Sequence, residues 1–146
     1  MAAASATSSA PAAAIPAAAA PVVGDAPVRP VLFVSDVQER FRKLLHGGEA
    51  LIAGVAFLVR VWGALGLPVV VSEQSPAKLG KTVAEVEAAL AGLPPASVLR
   101  VEKTQFSIIL PEVKAFLAEQ GAGAGVVVGL EVRWLGLAGA AAQRVH

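Results

Sequence analysis

An unbroken apolar run near the start of the chain constrains the fold more than any other feature. Residues 31–34 carry only apolar side chains, with no polar alternation, and Ser35 and Asp36 follow directly. Such a run is typical of a central strand that is buried on both faces. Ligands bind beyond the carboxyl ends of the strands in an open α/β sheet, so Asp36 is a candidate functional residue. The alternative is that Asp36 caps the following helix.

Three further strand-like runs follow the first one. They cover residues 68–72, 97–102 and 125–129. Helical patterns separate the strands, over residues 37–45, 49–65, 82–90 and 110–121, and a weakly helical segment ends the chain at 132–146. Alternating strands and helices predict a parallel sheet with helices on both faces. We therefore expect an α/β fold with a doubly wound, Rossmann-like sheet.

Local patterns predict how two of the helices pack and begin. Apolar residues at intervals of three and four give the helix at 49–65 one buried stripe, formed by Leu51, Ile52, Val55, Leu58, Trp62 and Leu65. Phe57 is expected in the core as well. Thr82 and Glu85 are spaced as a capping box, which predicts that a helix begins there.

Residues 1–29 differ in composition from the rest of the chain. They are rich in Ala, Ser and Pro, and prolines at positions 11, 16, 21 and 27 prevent a long helix. We expect a disordered tail over 1–29 and one domain over 30–146. The tail lacks the basic start and continuous apolar core of a signal peptide. The tail does not fix the compartment; a cytoplasmic protein is expected, with a mitochondrion or another organelle left open.

The composition excludes several classes of site and partner. The sequence has no cysteine, and its two histidines, His46 and His146, are far apart, so we expect no metal and no thiol chemistry. A formal net charge of +1 gives no reason to expect nucleic acid as a partner. Residues 50–72 contain one charged residue, Arg60, but Gly66 and Pro68 interrupt the run, so a membrane span is not expected.

Polar residues follow each of the four predicted strands. They are Asp36, Glu73 and Gln74, Glu102 and Lys103, and Glu131. The carboxyl ends of parallel strands meet at one edge of the sheet, so these side chains could converge there. Lys103 beside Asp36 would favour the ionised carboxylate and could stabilise a developing negative charge. The alternative is a rim of solvated charges.

Five short segments together resemble the isochorismatase-like hydrolase superfamily, and within it the eukaryotic isochorismatase domain-containing proteins. They are VLFVSDVQ (31–38), SEQSP (72–76), Leu79-Gly80, EKTQFS (102–107) and VVGLE (127–131). The resemblance covers residues 30–131 and implies a doubly wound parallel α/β fold. It also implies hydrolysis of a small amide, or of the vinyl ether of isochorismate, without a cofactor.

The resemblance implies roles for individual residues. Asp36 matches the acid/base group and Lys103 its electrostatic partner, and both would act on a small-molecule substrate. Other residues would form the wall of the site, namely Gln38, Glu73, Gln74, Phe106 and Glu131. For Phe106, packing in the core is the competing interpretation.

One member of the family's catalytic set is missing. Amide-cleaving members carry a cysteine nucleophile six residues after the glycine matched by Gly129, and Leu135 occupies that position here. The resemblance therefore implies a hydrolase-family domain that is inactive or impaired, since covalent amide hydrolysis needs the thiol. Members that act on isochorismate also lack this cysteine. The alternative is a non-catalytic binding or interaction relative that keeps the fold.

The resemblance fades after Glu131, so we expect the domain to be incomplete, with the sheet truncated after its fourth strand. A complete domain would be expected to form homo-oligomers.

Overall fold

A computed structural model of the chain describes residues 22–23, 26–44 and 46–129, and four of its strands form one parallel sheet. Along the chain the elements are β1 (Val22–Val23), β2 (Ala26–Pro27), β3 (Arg29–Ser35), α1 (Glu39–Arg42), α2 (Gly48–Ala64), β4 (Val69–Gln74), α3 (Pro76–Leu79), α4 (Ala84–Leu90), a 3-10 turn (Pro95–Ser97), β5 (Val98–Lys103), α5 (Pro111–Glu119) and β6 (Ala122–Gly129).

The strand order in the sheet is β5-β4-β3-β6. The chain winds outward from β3 to β4 and β5, and then crosses back to place β6 on the other side of β3. Ser35 at the end of β3 pairs with Ser72 of β4 and with Gly129 of β6. The direction of winding reverses between β3 and β6, and ligands bind at such a switch point in doubly wound sheets. The predicted fold class is confirmed.

Alternate residues of β3 pack into two separate apolar layers. Leu32 and Val34 belong to the layer shared with α2 and α4, whereas Val31 and Phe33 belong to the layer shared with α5. All four side chains are at most 4% exposed. The sheet is therefore covered by helices on both faces, which explains why β3 is apolar without alternation.

The predicted apolar stripe of α2 is partly wrong. Ile52 and Val55 are buried as expected, but Leu51 and Leu65 are 37% and 63% exposed. Phe57, which was expected in the core, is 59% exposed. At 100° per residue, Phe57 projects from the side of the helix opposite the buried line through Val55 and Val59. Spacing alone could not identify which apolar side of α2 the sheet would cover.

Several element boundaries also differ from the predictions. Helix α4 begins after Val83 without a side-chain cap, so the predicted capping box is wrong. Helix α1 is shorter than the predicted 37–45, and α3, which was not predicted, follows β4. Strand β6 begins at Ala122 rather than at 125.

The predicted tail borders the sheet directly. Strand β3 already begins at Arg29, and β1 pairs with β2 in an antiparallel manner. The remainder of the tail, residues 1–21, 24 and 25, lies outside the described residues. Among the residues that the structure describes, no helix is long and apolar enough to cross a membrane.

The two-layer core makes a direct prediction about β3. Replacing Val34, which is fully buried, with alanine should lower the free energy of unfolding by about 2 to 3 kcal/mol, because two methyl groups leave a cavity. Val126 on β6 is 41% exposed, so Val126→Ala is the matched control and should cost less than about 1 kcal/mol. Urea unfolding measures both values, and equal losses would contradict the assigned layers.

Candidate active site

Asp36 lies directly after β3, where the backbone turns sharply. Its φ angle is +56°, and its N–H donates to the carbonyl of Ser72 at 3.1 Å. Aspartate tolerates this left-handed conformation better than most residues. Asp36 is only 5% exposed, and its carboxylate lies over the ends of β4 and β5. The interpretation of Asp36 as a helix cap is wrong, since α1 begins after Gln38 without a side-chain cap.

The Asp36 carboxylate accepts hydrogen bonds from three side chains. The Lys103 ammonium donates to Oδ2 at 2.8 Å, and the Ser72 hydroxyl donates to Oδ1 at 2.8 Å. The Ser35 hydroxyl lies 3.4 Å from Oδ2. All three groups donate, which matches the acceptor-only character of an ionised carboxylate. Asp36 and Lys103 thus form a nearly buried ion pair, and two serine hydroxyls satisfy the remaining acceptor sites of the carboxylate.

Lys103 ends β5 and reaches Asp36 across the intervening strand β4. Its Nζ also donates to the side-chain oxygen of Gln74 at 3.0 Å and approaches the carbonyl of Phe106 at 3.5 Å. Three acceptors therefore face the three ammonium hydrogens. A buried charge is tolerated when its hydrogen bonds are satisfied, and an unpaired one is strongly destabilising. Lys103 and Asp36 thus depend on one another and on Gln74.

Two glutamines, Gln38 and Gln74, hold the end of β4 and Lys103 in position through hydrogen bonds. The side chain of Gln38 is fully buried and clamps the backbone of Gln74, accepting from its N–H at 2.9 Å and donating to its carbonyl at 3.1 Å. Gln38 also donates to the carbonyl of Gly80. The side chain of Gln74 in turn donates to the carbonyl of Thr104 at 2.9 Å. Gln74 contacts Lys103 directly, whereas Gln38 holds the end of β4 in place.

The structure does not bring Glu73 to Asp36. Successive side chains of a strand point to opposite faces, so Glu73 faces α4 while Ser72 and Gln74 face the ion pair. One Glu73 oxygen accepts from the N–H and the hydroxyl of Thr82, at 2.8 and 2.9 Å, and the other accepts from Lys81 at 3.1 Å. Glu73 therefore anchors the loop before α4, and the expected place of Glu73 in the wall of the Asp36 site is corrected.

The electrostatics of Glu73 reflect that anchoring role. Burial pushes the pKa of Glu73 upward, but hydrogen bonds from Thr82 and the Lys81 ammonium outweigh burial and leave the pKa below its ordinary value of 4.5. Glu102 and then Glu73 raise the pKa of Lys81 through hydrogen bonds. Glu73 and Lys81 line a groove of about 470 Å³ together with Glu87, Arg100 and Glu102. Arg100 and Glu87 pair there at 2.7 Å.

Three predicted residues remain: Phe106, which the structure describes, and Glu131 and Leu135, which it does not. Phe106 is 77% exposed, so its expected packing in the core is wrong, while a role in the site wall stays a prediction. Glu131 and Leu135 lie outside the described residues.

Sequence reasoning missed the two serines that hold Asp36. Ser35 and Ser72 are paired in register at the ends of β3 and β4. Aligning the predicted strand ends would have placed them next to each other. Among residues 22–23, 26–44 and 46–129, no group of three or more His, Cys, Asp or Glu side chains could hold a metal ion.

Residues 30–134 match the family model described as Isochorismatase domain. The chain is 41% identical to isochorismatase domain-containing protein 1 of Danio rerio over 106 residues, which are 72% of this chain and 35% of that protein. It is 40% identical to the secreted isochorismatase effector Isc1 of Phytophthora sojae over 87 residues, which are 60% of this chain and 40% of that protein. The chain thus spans well under half of either relative.

Solved structures show the same likeness. The chain superposes on the structure of a MAR1 ribonuclease from Caenorhabditis elegans with a TM-score of 0.62 at 29% identity, covering 70% of this chain and 50% of that one. A structure described as a putative MAR1 ribonuclease from Leishmania major gives a TM-score of 0.61 at 26% identity, covering 71% and 51%. The α/β fold of the described residues is therefore shared with about half of each of these structures.

The lowered pKa of Glu73 predicts how stability depends on pH. Its stabilising contribution is present above pH 4.5, the ordinary carboxyl value, and is lost as the pH falls through the lower pKa of the folded state. Glu73→Gln should lower the free energy of unfolding at pH 7 by about 1 kcal/mol and flatten the loss of stability below pH 4.5.

Urea unfolding between pH 3 and 7 measures this dependence. Glu119→Gln is the matched control, because Glu119 is exposed at the end of α5. An acid limb that is the same in Glu73→Gln as in the parent chain would contradict the assigned role.

Proposed function

This chain belongs to the isochorismatase family, and on that basis we propose that it carries a hydrolase-type site for a small molecule at the carboxyl end of its sheet. The observation that carries the proposal is the buried Lys103–Asp36 ion pair, at 2.8 Å, beside the switch point between β3 and β6. A carboxylate and an ammonium held out of water at the ligand-binding edge of such a sheet are suited to acid–base chemistry.

Asp36 is the proposed proton carrier. Its carboxylate takes the proton of the attacking group as that group adds to the substrate, and returns the proton to the leaving group, so the carboxylate is regenerated. Lys103 offsets the negative charge of Asp36 and of any negative charge that develops beside it. Ser72 and Gln74 keep the two groups in place, because each donates or accepts at one side of the pair.

The 146 residues contain no cysteine, and this decides which substrates the proposal favours. With Leu135 at the position of the family's nucleophile, covalent hydrolysis of amides is impaired in this chain. A vinyl ether needs no thiol: Asp36, after taking a proton from solvent, would give it to the methylene carbon, and the water that then adds to the oxocarbenium carbon would return a proton to Asp36 before the hemiketal collapses to the ketone and the alcohol. Isochorismate is therefore the first substrate to test. The name of one relative, a secreted isochorismatase effector, supports that choice.

A binding module that has kept the fold is the second candidate. The observation that favours it is the saturation of Lys103, whose ammonium hydrogens face Asp36, Gln74 and the carbonyl of Phe106. An ammonium whose three N–H groups already donate hydrogen bonds stabilises the charge of a transition state less than an ammonium with a free N–H group. In this candidate the same rim binds a small polar molecule without turnover.

Hydrolysis assays with isochorismate, a panel of small primary amides and RNA test the first proposal. RNA is included because two structural neighbours are described as ribonucleases, and we expect no cleavage since a net charge of +1 offers phosphates few excess cations. Asp36→Asn should reduce turnover by at least about 100-fold, as expected for loss of a general acid–base group. Lys103→Met should reduce it similarly.

Controls separate chemistry from folding. Lys114→Met changes an exposed lysine of α5 and should leave turnover unchanged. The double variant Asp36→Asn, Lys103→Met removes both buried charges and should fold where a single variant fails. Turnover that is indifferent to both single substitutions would contradict the acid–base roles. Calorimetric binding without turnover, abolished in the double variant, would instead support the binding module.

A second prediction tests the assignment of Leu135. Leu135→Cys should give measurable hydrolysis of small amides, because it supplies the thiol nucleophile in the family's register. Leu135→Ser is the matched control and should show at least about 10-fold less activity, since an alcohol is the weaker nucleophile. A cysteine that is alkylated readily by iodoacetamide but gives no amide hydrolysis would contradict the assignment.

A further inference from the structure

The outer side of α2 is an exposed apolar surface. Ala50, Ala53, Gly54, Phe57 and Ala64 are exposed along it, and Val61 is partly exposed. We call these six residues the α2 ridge. The opposite side of the helix packs on the sheet and on α4 through Ile52, Val55, Ala56 and Val59. The ridge contains no charged or polar side chain over four helical turns, which is unusual for a helix face in contact with water.

The internal packing of the chain does not explain the composition of the ridge. A Cβ atom added to Gly54 would find no atom within 4 Å, so no neighbour within the described chain requires a glycine there. A glycine inside a helix costs about 0.5 to 1 kcal/mol relative to alanine. Phe57, one turn further along, leaves 59% of its surface exposed. The open space at Gly54, which we call the notch, and the exposed ring of Phe57, which we call the knob, therefore lie side by side without a packing partner in the described residues.

The knob and the notch are complementary to those of a second, antiparallel copy of the helix. If a two-fold axis passes at the height of Val55, residue numbers that sum to about 110 face each other. Phe57 of each copy then meets Ala53 and Gly54 of the other, and Val61 meets Ala50. Each large side chain is opposed by small ones, which is the condition for close packing of two helices.

The charges on the flank of the ridge select the same orientation. Glu49 and Arg60 lie on the same side of α2 and, eleven residues apart, are separated by about 16 Å along the axis. In the antiparallel arrangement, Glu49 of one copy faces Arg60 of the other, twice. In a parallel arrangement these flanks would lie on opposite sides of the interface, so Glu49 and Arg60 would not meet. The Glu49 side chain remains 71% exposed beside Arg42, and Arg60 has no ion pair among the described residues.

From this complementarity we propose that two copies of the chain associate through their α2 ridges, antiparallel about a two-fold axis. The proposal does not depend on the proposed function, because the ridge lies on a helix face and not at the rim that holds Asp36. One helix face is smaller than the roughly 1,200 to 2,000 Å² buried in a standard stable interface, so a dissociation constant on the order of micromolar or weaker is expected.

Sedimentation equilibrium of the full 146-residue chain, between about 1 and 500 μM, tests the proposal. The parent chain should show a monomer–dimer equilibrium, and Phe57→Glu should weaken it at least 10-fold, because a charge replaces the knob. Phe106→Ser is the matched control: Phe106 is 77% exposed but lies at the rim, so its replacement should leave association unchanged. Circular dichroism confirms folding of every variant.

A charge-swap experiment tests the orientation. Arg60→Glu chains and Glu49→Arg chains should each associate more weakly than the parent, because each homodimer places like charges opposite one another. Mixed in equal amounts, the two variants should form a dimer at least as readily as the parent. Because the sequence has no cysteine, Ala50→Cys chains mixed with Val61→Cys chains should also form a disulfide-linked heterodimer, whereas Ala50→Cys alone should not.

Three outcomes would overturn the proposal. The parent chain could remain monomeric at every concentration, the dimer could persist unchanged in Phe57→Glu, or Ala50→Cys could cross-link with itself more readily than with Val61→Cys. A monomeric chain that sediments with phosphatidylcholine vesicles, and loses that property in Phe57→Glu, would assign the ridge to a lipid surface instead and would equally overturn it.

Discussion

The ion pair between Lys103 and Asp36 depends on the register of three strands at once. Asp36 follows β3, Lys103 ends β5, and Ser72 and Gln74 of β4 lie between them. Removing two charges from water costs several kcal/mol for each ion, and their mutual attraction alone does not offset it. The serines and Gln74 are what make the pair tolerable. A slip of one residue in β4 would turn Ser72 and Gln74 to the other face and leave the buried pair without their hydrogen bonds.

The same alternation divides the rim of the sheet into two regions with different tasks. On the face covered by α5, Ser72, Gln74 and Lys103 surround Asp36. On the face covered by α4, Glu73 ties the end of β4 to Thr82 and Lys81. Neighbouring residues of one strand thus contact the ion pair and anchor the loop before α4, respectively. Gln38 links the two regions, because its amide holds the backbone of Gln74 and reaches Gly80 in the loop that precedes Thr82.

Family membership and local geometry support different parts of the functional argument. Membership rests on residues 30–134 and shows the isochorismatase domain, whereas the chain spans 35% of a curated relative such as the Danio rerio protein. The geometry adds a carboxylate and an ammonium held out of water at the edge where doubly wound sheets generally bind ligands. Neither provides a thiol within these 146 residues, so the proposed chemistry relies on proton transfer rather than on a covalent intermediate.

The strands, the fold class and the convergence of Asp36 with Lys103 could be predicted from the sequence, because apolar runs mark buried strands and parallel strand ends share one edge. Side-chain direction could not be predicted, because it depends on which face each strand presents to its neighbours. For this reason Glu73 points away from Asp36, and Thr82 donates hydrogen bonds to Glu73 rather than capping a helix. Ser35 and Ser72 point toward Asp36 for the same reason. On α2, too, the side of the helix that faces the sheet could not be predicted, and Phe57 lies on the exposed side. Periodicity by itself determined which residues alternate, and only tertiary packing decided which side of that alternation is buried, since burial is a relation between elements that lie far apart in the chain.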